Sequence, residues 1–417
     1  MLLSFISASE LISGSKIRKK DGRNLIASDL ERIPDGAIVI DTSKNEIVWV
    51  GNTTSWKSQN FSGDVVDLKG MQALVPGFVD AHTHMVFGGD RSDEFSRRCA
   101  GETYESIAAA GGGIQATVRA TQTATIDALL EHASKHAQEA YAYGVRTLEV
   151  KSGYGLTLEA ELKLLEVIQR LSKKHPEIHW VPTYMGAHAI PVGYTEEQAL
   201  EDIIQVQLPK IAEQGVAQFC DIFVDAGYFS TKSISKLSKA AGQYGLKLKV
   251  HADEMGDTGS TQVAVQEGAV SVEHLLCISE TGIEALSKSN TTAVLLPGTA
   301  FFLKAAYAPA RTLLERGARV AIATDFNPGS CPMNNLPFMM TLAALYMEMS
   351  CVEIFAGVTY NAAKALDLAH LTGSLEPGLR ADLAVLPFKN FESIYYQAGY
   401  SALTFPIKGW RDYNESH

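Results

Sequence analysis

The stretch Phe78-Val79-Asp80-Ala81-His82-Thr83-His84 ends an apolar run with two histidines one residue apart. Side chains on a strand alternate faces with a period of two, so His82 and His84 point the same way and can share one metal ion. Two nitrogens do not complete a site. Working outward, three further candidates each end a short β-like run: His251 in Leu248-Lys249-Val250-His251-Ala252-Asp253-Glu254, His274 in Val272-Glu273-His274, and Asp325 in Ala321-Ile322-Ala323-Thr324-Asp325. Any one of these histidines, taken singly, reads better as a satisfied buried group than as a ligand. Five metal-type side chains at equivalent ends of expected strands speak against that plainer reading.

Between these runs, β-branched segments alternate with helical patterns such as Leu158, Leu162, Leu165 and Ile168, which implies βα units around a parallel sheet. The expected strands are 74–84, 145–151, 179–188, 220–226, 246–251, 270–274, 292–297 and 320–325. Eight such units fit an α/β chain folded as a (β/α)8 TIM barrel, whose active site lies at the C-terminal ends of the strands, where the candidate ligands fall. A doubly wound open sheet is the rival. Its phosphate-binding fingerprint is missing, since Gly111-Gly112-Gly113 lacks the G-x-G-x-x-G spacing and no Walker-type lysine follows a glycine loop.

The two ends of the chain have a different texture. Ala37-Ile38-Val39-Ile40, a polar turn over Asp41 to Asn45, and Glu46 to Gly51 read as a hairpin. Similar β-rich texture returns over Gly378 to Pro387 and from Tyr395 to Lys408. The expectation is a small composite β-sandwich domain from residues 1–74 and 371–417, with the barrel over 75–370.

A chain of 417 residues with 46% apolar and 20% charged side chains can bury a sizeable core. Its formal net charge of −11 argues against a general binder of nucleic acid or anionic membrane, yet leaves room for a small anionic substrate held by one local arginine. Five scattered cysteines without C-x-x-C spacing suit reduced thiols. The N-terminus makes a poor signal peptide and no apolar run approaches a spanning helix, so the expected location is cytoplasmic.

The H-x-H on strand one, the histidines on strands five and six and the aspartate on strand eight together resemble the amidohydrolase superfamily. The resemblance implies that His82, His84, His251 and Asp325 are the metal ligands, with His274 close by. It also implies one metal ion, because strand four reads Cys220-Asp221-Ile222-Phe223-Val224-Asp225-Ala226 and lacks the lysine that bridges two metals in binuclear members. Lys151, which ends strand two, reads as a structural or supporting cation. Nitrogen and carboxylate ligands suit Zn2+, and Fe2+ or Fe3+ are compatible by ligand type.

Six stretches in order narrow the resemblance to the imidazolonepropionase family: His82 to Arg91, Glu102 to Ile114 with its glycine triplet, Lys151-Ser152-Gly153-Tyr154-Gly155-Leu156, Gly186-Ala187-His188, His251 to Glu254, and Thr324-Asp325-Phe326-Asn327-Pro328-Gly329-Ser330. One departure is Gln122, where the family carries an arginine; a helical position is expected for it. The family opens the imidazolone ring in histidine breakdown, converting 4-imidazolone-5-propanoate to N-formimidoyl-L-glutamate.

That substrate suits the residues. A propionate tail calls for an always-charged partner of fork geometry, which Arg91 can supply; the plainer reading of Arg91 is an ion pair with Asp90 or Asp93. Tyr154 and His188 offer donors to the tail or ring, or else are packed side chains with satisfied tips. Glu254 can accept a ring N–H and shuttle a proton to the departing nitrogen, with His274 and Asp325 as further proton-handling groups; a solvated loop carboxylate is the alternative for Glu254. Asn327, Gly329 and Ser330 can hold the imide-like edge, or simply make a turn. Homodimers are common among look-alikes. The competing functions are another mononuclear amidohydrolase of the cytosine or guanine deaminase kind, and a non-catalytic binding protein on the same fold.

Overall fold

Eight parallel strands surround the candidate residues in chain order. The computed structural model describes residues 1–414 except 104, 105, 108, 109, 398, 400 and 403. Before the barrel come β1 (Leu2–Ile12), β2 (Arg32–Asp41), β3 (Glu46–Asn52), β4 (Asp64–Asp67) and β5 (Ala73–Pro76). The barrel strands are β6 (Phe78–Asp80), β7 (Val145–Lys151), β8 (His179–Ala187), β9 (Phe219–Val224), β10 (Lys247–Ala252), β11 (Ser271–His274), β12 (Thr292–Leu295) and β13 (Arg319–Ile322), each paired with its sequence neighbour. Every residue of β7, β9, β11, β12 and β13 is buried, as parallel strands walled by helices require. In the helix Leu158–Lys174 the buried face runs through Leu164, Leu165, Ile168 and Leu171, with Leu158 and Leu162 at its margin.

The expected strand over 74–84 is two strands. Ala73–Pro76 belongs to the end sheet, and the chain crosses into the barrel at Gly77, where a Cβ would overlap Cγ of Arg146. The barrel closes through the histidine motif itself. His84 N donates to Phe326 O at 2.9 Å and Asp325 N donates to His82 O at 3.0 Å, so the segments carrying the first and last candidate ligands are knitted together. Asp80 reinforces this seam by accepting from Thr324 N at 3.1 Å and Thr324 Oγ1 at 2.6 Å.

The chain ends meet in a second sheet. What the sequence reads as a sandwich is, among the described residues, one mixed sheet of six strands, ordered β14-β5-β1-β2-β3 with β4 beside β1, where β14 is Leu383–Leu386. The expected hairpin is present, with Ile38 opposite Val50 and Val39 opposite Trp49. The expectation of β texture from Tyr395 to Lys408 is corrected: Glu392–Tyr396 is helical and, among the described residues, Lys408 makes a single bridge to Val385. Ala398, Tyr400 and Leu403 lie outside the described residues. The end sheet packs its own apolar cluster of Phe5, Leu11, Ile38, Ile47, Leu74, Leu383 and Trp410, separate from the barrel's core.

Candidate active site

The barrel brings all five metal-type side chains to one point. His82 Nε2 lies 3.2 Å from Asp325 Oδ1, His84 Nε2 lies 3.8 Å from the same oxygen, and the Nε2 atoms of His84 and His251 are 3.2 Å apart. Ligand atoms of His82, His251 and His274 also fall within 4.8 Å of one another. His274 and Asp325 hold φ of 75° and 53°, left-handed values that turn both side chains inward at their strand ends and that non-glycine residues adopt at a cost.

Beneath this cluster sits a floor of buried charge. Asp221 Oδ1 lies 3.0 Å from Nδ1 of His251, and Glu273 Oε2 lies 2.5 Å from Nδ1 of His82, in contact though outside hydrogen-bond alignment. A carboxylate only accepts, so the proton of His251 sits on Nδ1 and Nε2 faces the cluster as a lone pair. The carboxylates are anchored in turn. Lys151 Nζ reaches Asp221 at 2.6 Å, Glu149 at 2.7 Å and Glu273 at 3.0 Å, while Lys249 Nζ reaches Glu273 at 2.9 Å. Burial opposes the charge on Lys151, but Asp221, Glu149 and Glu273 override it and raise its pKa.

The donor set fits a metal cation. Nε2 of His82 and Nδ1 of His84 and His274 are buried without a hydrogen-bond partner among the described residues. Three buried carboxylates of the floor (Glu149, Asp221, Glu273) outnumber its two ammonium groups (Lys151, Lys249), and Asp325 adds a fourth beside the ring nitrogens, an excess of negative charge that a cation on the cluster would help offset. His82 responds to the same field: burial works against its charge, yet Glu273 raises its pKa to about 9. His84 and His274 go the other way; burial first, then repulsion from the neighbouring titratable rings, lowers His84, and burial brings His274 to about 3.

Over the cluster lies a cavity of about 510 Å3 whose lining includes His84, Arg91, Tyr154, His188, Glu254, His274, Asp325, Asn327, Gly329 and Ser330. The structure therefore collects every expected site residue except His82, which lies beneath. Arg91 pairs with neither Asp90 nor Asp93: its Nε and Nη2 donate to Glu94 Oε2 at 2.9 and 2.7 Å. The remaining Nη1 stands against Gly329, where any Cβ would collide with it. The glycine triplet is tied in through Gly113 N, which donates to Glu94 Oε1; Tyr104, Glu105, Ala108 and Ala109 of the same stretch lie outside the described residues.

Two expectations about polar roles change. Nδ1 of His188 lies 2.9 Å from Gly153 O, so it carries the ring proton, and burial lowers the pKa to about 4. His188 is thus neutral and offers Nε2 as an acceptor, where a donor was expected. The Asn327 amide is used up within its own turn, donating to Asp325 O and accepting from Gly329 N and Ser330 N. The turn lines the cavity with its backbone and Ser330.

Glu254 is not a solvated loop carboxylate. It is largely but not fully enclosed, its side chain 14% exposed at the cavity wall, with Oε1 3.6 Å from His274 Nδ1, and desolvation, then the negative charges of Asp325 and Asp225, raise its pKa to about 8. Its loop is fixed by Asp253, which accepts from Thr258 Oγ1, Ser260 Oγ and Thr261 Oγ1 at 3.0, 2.8 and 2.6 Å, and by Asp225, which accepts from Met255 N at 2.7 Å. Tyr154 rides on a loop held by Glu161, whose carboxylate accepts from Gly153 N, Gly155 N and Leu156 N.

Residues 73–407 match the model of the amidohydrolase family. An imidazolonepropionase of Alkaliphilus metalliredigens is 40% identical over 406 residues, 96% of this chain and 94% of the relative. One from Porphyromonas gingivalis is 42% identical over 342 residues, 82% of this chain and 81% of the relative. The chain belongs to the imidazolonepropionase family. Among solved structures the fold is similar to an adenosine deaminase from Xanthomonas campestris with bound zinc (TM-score 0.69, 14% identity, 96% of this chain and 87% of that one) and to guanine deaminase from E. coli (TM-score 0.70, 16% identity, 93% and 88%). Gln122 lies on the helix Ile114–Thr123, as expected, and its side chain donates to Gly155 O at 2.8 Å, bracing the Tyr154 loop.

Sequence reading passed over Asp80, Glu149, Asp221, Lys249, Glu273 and Thr299 as site residues in this member of the family. A signal existed for most of them, since Thr-Leu-Glu-Val-Lys, Cys-Asp-Ile-Phe and Leu-Lys-Val-His each set a charged residue inside a run otherwise fit for burial. Thr299, which donates to Asp325 Oδ2 at 2.5 Å from a helix after β12, left no such mark.

Proposed function

We propose that this chain hydrolyses the cyclic amide C–N bond of 4-imidazolone-5-propanoate to give N-formimidoyl-L-glutamate, a step in the degradation of histidine to glutamate. Family membership across nearly the whole chain carries the reading, and Arg91 beside the buried histidine and aspartate cluster supports it. His82, His84, His251 and Asp325 hold one metal ion, Zn2+ by preference for a nitrogen and carboxylate donor set, with Fe compatible. When bound, the ion supplies Lewis acidity, polarising a carbonyl and lowering the pKa of water from ~15.7 towards ~7.

The chain's own groups divide the remaining work. Arg91 faces the propionate, with Glu94 holding the rear of its guanidinium and Gly329 leaving room for Nη1. His188 accepts a ring N–H through Nε2, and Tyr154 walls the ring. Hydrolysis adds the oxygen of water to the ring carbonyl carbon, breaks that carbon's bond to nitrogen, and returns the proton lost by water to the nitrogen. Two carboxyls with pKa values pushed apart suit these two proton roles. Asp325 is kept ionised: burial opposes this, but the close approach and charge of His82 bring it down to about 2, so it accepts. Glu254, raised to about 8, holds a proton at the cavity wall for the departing nitrogen, and neutral His274 lies between the two.

Incubating the purified protein with freshly prepared substrate, with and without prior metal stripping, tests the proposal by loss of ultraviolet absorbance and gain of one water in mass. Metal-dependent turnover is the expected result, and none from a metal-loaded protein discards it. The deaminase reading draws on fold likeness alone and leaves Arg91 without a task.

The boundaries of a barrel over 75–370 and an end domain over 1–74 and 371–417 also stand as a proposal, supported by the two separate apolar clusters. Cytoplasmic location and a homodimer belong with it. No helix among the described residues is long and apolar enough to cross a membrane, and Leu345 and Tyr396 stand exposed along one groove.

A further inference from the structure

The helix Ile126–Ala142 carries His132 and His136 one turn apart, so both rings leave the same face. That face lines a second cavity, of about 400 Å3, which shares Arg91, Arg98 and Gly329 with the substrate cavity. The Nε2 atoms of the two histidines are 3.4 Å apart. Two nitrogens bound at about 2.0–2.1 Å to one tetrahedral zinc ion would be separated by roughly 3.3–3.4 Å.

The opposite ring nitrogens determine which atoms carry protons. Nδ1 of His132 lies 3.2 Å from Phe87 O, and since a carbonyl only accepts, the proton is on Nδ1 and Nε2 is a lone pair. In a metal-free pair, His136 must then protonate Nε2 to satisfy His132. That choice turns the bare Nδ1 of His136 towards the carboxylate of Glu139, 3.6 Å away, and this nitrogen is buried without a hydrogen-bond partner among the described residues. A cation on the two Nε2 atoms removes the conflict, because both Nδ1 protons then face acceptors, one a backbone carbonyl and the other a carboxylate. Ligating histidines adopt this arrangement. The rings are already braced, by Phe87 against His132 and by Phe326 against His136, with centroids 5.1 and 4.7 Å apart.

We propose that His132 and His136 form a second cation site, separate from the buried cluster, that takes one first-row transition ion of the Zn2+ or Cu2+ class and completes its coordination with water from the cavity. Burial, and then the neighbouring His132, lower the pKa of His136, so its lone pair is available at neutral pH. The site touches Phe326, the residue after Asp325, and it opens beside Arg91.

The test is equilibrium dialysis of the untagged full-length protein against Zn2+, compared with His132→Gln and His136→Gln. Wild type is expected to take up one equivalent more than either variant, while all three retain the same turnover of substrate under limiting Zn2+. Titration with Cu2+ gives a second reading, in which a visible absorption band present in wild type is lost from both variants. Equal stoichiometry in wild type and variants overturns the proposal, as does a Cu2+ band that survives both substitutions. If one variant does not fold, the other alone decides.

Discussion

The hydroxyl of Thr299 donates to Oδ2 of Asp325, leaving Oδ1 turned towards the ring nitrogens of His82 and His84. The threonine thus chooses which carboxylate oxygen faces the candidate metal position. Replacing it by valine keeps the shape and removes the donor. Thr299→Val is expected to weaken metal binding by roughly 10- to 100-fold, with Thr299→Ser restoring it. Competition with a chromophoric chelator measures this, and an unchanged affinity would remove Thr299 from the site.

Lys151 pairs with three fully buried carboxylates, Glu149, Asp221 and Glu273. Lys151→Met leaves Asp221 and Glu149 short of their partner, and a loss of about 3–5 kcal/mol of stability is expected. Urea denaturation of the metal-free protein reads it directly. A loss below about 1 kcal/mol would mean that Lys249 alone balances the floor.

Arg91→Ala is expected to raise KM for the propionate-bearing substrate by roughly 10- to 150-fold, equivalent to about 1.5–3 kcal/mol, with a smaller effect on kcat. Arg91→Lys should recover little of this, because an ammonium cannot bind Glu94 and a carboxylate in the same fork. Steady-state kinetics with an unchanged KM would detach Arg91 from the tail.

Gly329 makes a related case by another route. A methyl group there meets Nη1 of Arg91, a flexible end that will swing away rather than unfold the barrel. Gly329→Ala should therefore raise KM while leaving the melting temperature near that of wild type. A large drop in melting temperature would instead show that the turn cannot accept a side chain.

Glu254 gives a pH dependence with a definite sign. Its carboxyl is raised to about 8, so it carries a proton below that pH and loses it above. As proton donor to the leaving nitrogen it makes kcat/KM fall as pH rises through about 8. Glu254→Gln should lower kcat by roughly 10²–10⁴ and abolish that alkaline limb. A limb that persists in the variant belongs to another group.

Much of the fold was legible because it rests on two simple periods. The spacing of His82 and His84 located the site although both lie just past the end of β6, in a segment bridged at Thr83 to Phe326, and seven of the eight barrel strands lie within a few residues of where β-branched runs placed them. Gly77 was missed as a boundary because its requirement comes from Arg146, a residue distant in sequence. The 395–408 segment misled because apolar texture does not distinguish a strand from a loop anchored by one bridge. Asn327 was identifiable as a turn residue, but composition cannot say that its amide would be consumed by the turn. The charged floor left marks in the sequence that were readable only once Lys151 and Lys249 could be paired across strands.

The joining of β5 to β14 has a consequence in time. During synthesis the first five strands leave the ribosome early, yet the partner for the outer edge of β5 is made only after the entire barrel. Until Leu383–Leu386 emerges, that edge is an open template for pairing with another chain. A nascent chain stalled before this point carries a finished catalytic floor and an unfinished seam, so premature termination near the C-terminus should yield aggregates rather than a shortened enzyme.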